Sequence, residues 1–163
     1  MKKFLINFVA SLTAYFIASF IGILAWIGII WGGYSGWLNN AIGITSDTPY
    51  WITALIFYGS FALTTGISVA LFFFVGSKLN LLGKHWLNYL SVSGSLIIPI
   101  ILSLVFLDRS LLLALMLPFV MIWANFVFME AVDEVYAIPL MYIIATLPSI
   151  ITWLGMLYKA KKT

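Results

Sequence analysis

The chain contains no cysteine, one histidine, one arginine and five carboxylates among its 163 residues. Each shortage removes a class of chemistry. Without cysteine there is no disulfide, thiolate metal site or cysteine nucleophile. With His85 alone, neither an HExxH motif nor the paired imidazoles of a zinc hydrolase can be assembled. Charged residues make up 8% of the sequence and hydrophobic ones 64%, whereas soluble domains carry about 25% and about 45–50%. So little charge cannot coat a globule of this size. The surplus apolar surface has to face lipid.

What the sequence does contain is long apolar runs. Five segments stand out, at 4–31, 50–75, 86–107, 111–129 and 135–158. Each is near or above the ~20 residues a helix needs to cross a hydrocarbon core of about 30 Å. The runs are continuous, whereas a membrane barrel alternates lipid-facing and lumen-facing residues. The predicted fold is an all-α integral membrane protein, one domain over residues 1–163. It is a compact bundle of five apolar helical segments, four or five of them full spans. Met1-Lys2-Lys3 ahead of an apolar run resembles the start of a signal peptide. The run is longer than the core of about 7–15 residues in a cleaved signal, so it reads as an uncleaved first helix. No internal repeat is visible.

The basic residues sit at the chain ends and in two short connections, the pattern that sets orientation across a membrane. A nucleic-acid footprint requires a clustered basic face, and the sequence has none. With five spans and the N-terminus inside, Lys2, Lys3, Lys78 and Lys84 oppose Arg109, Lys159, Lys161 and Lys162 in a tie. With four spans, all but Arg109 lie inside. Hydropathy therefore favours five helices and charge favours an even number of spans. Asn88, Ser91, Ser93, Gly94 and Ser95 dilute the first half of the third segment, so one of segments three and four reads as re-entrant or interfacial. The localisation expected is a cell membrane of the bacterial cytoplasmic type, crossed several times, with the N-terminus cytoplasmic.

Candidate functional residues fall into a few groups. On the first segment Ala10, Ala14, Ala18 and Gly22 recur every four residues, and on the second Gly59, Ala62, Gly66 and Ala70 form a comparable stripe. Small residues at that spacing let another backbone come close in lipid. The simpler expectation is that the two stripes pack on each other, the alternative being contact with another subunit. Asp108 and Arg109, between two apolar segments, read as a hairpin tip or as polar contacts for a partner. Glu130, Asp133 and Glu134 share one face if helical, and read as a solvated acidic stretch or a site for a cation or basic partner. Asn125 is a strong polar group centred in an apolar run. His85, between Lys84 and Trp86, reads as an interface residue. Pro99, Pro118, Pro139 and Pro148 shape or break helices.

Catalytic, metal and cofactor sites are not expected. A coupled transporter usually carries inverted repeats and intramembrane ionisable groups, neither of which is clear here. The expectation is a non-catalytic partner or accessory subunit of a larger membrane assembly, immunity-type roles included. The alternative is a homo-oligomeric, holin-like pore or a small transporter. The partners expected are the lipid bilayer and another membrane protein or further copies of the chain, and not nucleic acid.

Overall fold

The computed structural model describes residues 1–34, 49–93 and 134–162. The described residues are all-helical: α1 (Lys2–Tyr34), α2 (Tyr50–Lys78), α3 (residues 85–93) and α4 (Glu134–Lys162). Continuous apolar runs become helices because the helix satisfies each backbone donor and acceptor within its own segment. Pro49 precedes α2, where a missing N–H costs nothing; its carbonyl accepts from the Ile52 N–H at 2.9 Å. Leu79 ends α2 by turning extended while its N–H still bonds back to the Val75 and Gly76 carbonyls. Pro139 and Pro148 lie inside α4 without ending it. Thr152 donates its hydroxyl to the Pro148 carbonyl at 2.7 Å, the i−4 bond that a threonine inside a helix commonly makes.

The contacts fix the directions. Asn7 of α1 meets Asn80, just past the end of α2, while Ser11 and Tyr15, farther along α1, share a recess with Phe72 and Thr152. So α1 runs antiparallel to α2. Thr152 lies against Gly76 and Lys159 reaches the Leu79 carbonyl at 2.7 Å, so α4 runs in the same direction as α2. The α3 helix starts from the 79–84 connection and rises beside α1, its Ser91 at Asn7 and its Tyr89 ring edge-on to Trp153 of α4 at 5.8 Å.

Leu79, Val92 and Met156 form an apolar cluster, with Ala10, Val75, Leu81 and Trp153 packed against it. Much of the remaining interior is polar. Asn7, Ser11, Ser68, Asn88, Ser91, Ser149 and Thr152 are buried, while Leu5, Phe16, Phe20, Leu55, Leu63 and Phe74 are more than half exposed. Among the described residues, hydroxyl and amide side chains are thus common inside and large apolar side chains common outside. Over Lys2–Gly22, α1 is long and apolar enough to cross a membrane; Ala62–Lys78 is a shorter apolar helix.

Candidate functional site

Two features of the described structure are built from more than one element: a polar latch at one end of the bundle, and the charge around it. The latch centres on the 79–84 connection. Asn7 donates Nδ2 to the Asn80 carbonyl at 2.8 Å, and its Oδ1 accepts the Asn80 N–H at 3.0 Å. The same Nδ2 reaches Ser91 Oγ at 3.2 Å. Asn88 Oδ1 accepts the Leu82 N–H at 2.8 Å, and the Ser91 hydroxyl donates to the Asn88 carbonyl at 2.8 Å. Lys159 donates to the Leu79 carbonyl from α4. Backbone groups left over where α2 ends are thus taken up by side chains from the other three helices, as burial demands. Gly83, at φ +82°, supplies the left-handed turn that brings the connection into α3.

The charge follows from the helix directions. Lys2 and Lys3 open α1, Lys78 closes α2, Lys84 lies in the connection, and Lys159, Lys161 and Lys162 close α4. Every lysine of the chain is therefore at one end. Glu134 opens α4, about 40 Å away by the rise of a helix of 29 residues.

Higher in the bundle, Tyr15 and Ser19 are buried one turn apart on α1, and neither hydroxyl group bonds to another helix among the described residues. The recess lined by Ser11, Tyr15, Ser149 and Thr152 is too narrow to admit a water molecule. It does not form a site for a solute.

The two small-residue stripes are placed differently. Ala14, Ala18 and Gly22 are buried and Ala10 is half-buried, so the α1 stripe faces the bundle. Gly59, Ala62, Gly66 and Ala70 are exposed, and a Cβ on Gly59 or Gly66 would meet nothing within 4 Å. The stripes are not brought together. Close approach occurs instead between α2 and α4, where a Cβ on Gly76 would strike the Thr152 carbonyl and one on Gly155 the Phe73 carbonyl. The sequence analysis missed these two glycines. Gly155 is the only glycine of α4, but a lone small residue gives no periodic signal.

His85 begins α3 and is exposed. Asp108, Arg109, Asn125, Glu130 and Asp133 lie outside the described residues, and of Glu134 only the helical backbone is described. Among the described residues no three His, Asp or Glu side chains gather as metal ligands. Comparison with protein-family models, curated proteins and solved structures returned no match. Any functional reading therefore stands on the residues themselves.

Proposed function

We propose that the protein is a multi-pass membrane protein with a cytoplasmic N-terminus, acting as a non-catalytic partner or accessory subunit of a larger membrane assembly through helix–helix packing. The membrane reading is supported by the inverted distribution of side chains, with amides and hydroxyls inside and large apolar groups outside. The orientation is supported by the gathering of the lysines at one end, since basic residues are retained on the cytoplasmic side. Because α1 leaves that end while α2 and α4 return to it, an even number of crossings is favoured. Four of the five apolar segments are then full spans.

The partner reading is carried by one observation, the outward-facing stripe of Gly59, Ala62, Gly66 and Ala70 on α2. In lipid, helices associate through close backbone approach at small residues, and among the described residues no helix lies against this stripe. Native mass spectrometry of the protein extracted gently from its own membrane tests the reading. A stoichiometric complex with a different, larger protein is expected, and Gly66→Ile should release that partner while leaving the fold intact. A homo-oligomer without a second protein would overturn the accessory reading and favour the pore.

A further inference from the structure

We draw no further inference here: the strongest candidate, the lysine-bearing end of the bundle, where Lys78 stands over Phe74 and Lys162 over Tyr158, restates the charge that flanks membrane spans in general, and no contact among the described residues joins the two pairs into one site.

Discussion

Asn7 is fully buried and satisfies both the N–H and the carbonyl of Asn80, a residue 73 positions away. Removing one partner of a buried hydrogen bond leaves the other desolvated, at about 1–3 kcal/mol for each group. Asn7→Ala should therefore destabilise the protein by about 2–3 kcal/mol, since it orphans two backbone groups that are only partly buried. Asn7→Leu separates this cause from packing, because it restores the volume without the hydrogen bonds. Unfolding in mixed detergent micelles should find Leu as damaging as Ala; a leucine variant as stable as the wild type would mean that Asn7 acts only by filling space. The sequence marks Asn7 as a polar group in an apolar helix, but it cannot name the partner, since Asn80 is engaged through its backbone. The same limit hid Asn88 and Ser91. They read as polar residues that weaken a span, whereas they are buried because they complete the end of α2.

Elements follow from periodicity and length far more readily than their contacts do. Three of the five apolar segments, at 4–31, 50–75 and 135–158, agree with α1, α2 and α4 to within a few residues. The third begins one residue into α3, and the fourth lies outside the described residues. Which face meets which neighbour is set by relative register, and a stripe of small residues specifies closeness without specifying the partner. The α1 stripe is used inside the bundle; the α2 stripe is not, and its place at the α2–α4 crossing is taken by Gly76 and Gly155. The two kinds of glycine should respond oppositely to the same change. Gly76→Ala or Gly155→Ala drives a methyl into backbone and should cost about 1–3 kcal/mol by forcing the helices apart. Gly59→Ala meets open space and should be neutral or stabilise the isolated chain by about 0.5–1 kcal/mol, the usual gain of alanine over glycine within a helix. Thermal stability of the purified variants decides it. Equal losses at Gly59 and Gly76 would show that the α2 stripe is packed after all.

At the scale of the whole molecule, charge and helix direction combine into one geometric consequence. The chain starts at the lysine-bearing end, returns to it through α2, leaves through α3 and finishes there with α4. The charge pattern of the sequence leaned toward an even number of spans and its hydropathy toward five helices. Each counts something different: charge reports the side on which a helix ends, and hydropathy reports apolar length whether or not the helix crosses. The absence of cysteine makes the question open to direct labelling, because any single introduced cysteine is the only thiol in the protein. Lys3→Cys, Gly83→Cys and Lys161→Cys should all react with a membrane-impermeant thiol reagent from the cytoplasmic side, and Tyr50→Cys and Glu134→Cys from the opposite side. Because Gly83 holds a left-handed conformation, Lys84→Cys serves as a second position in the same connection. Labelling of Lys3→Cys and Lys161→Cys from opposite sides would require an odd number of crossings. It would divide the lysines between the two leaflets, and the even-span orientation would fall with their gathering on one side.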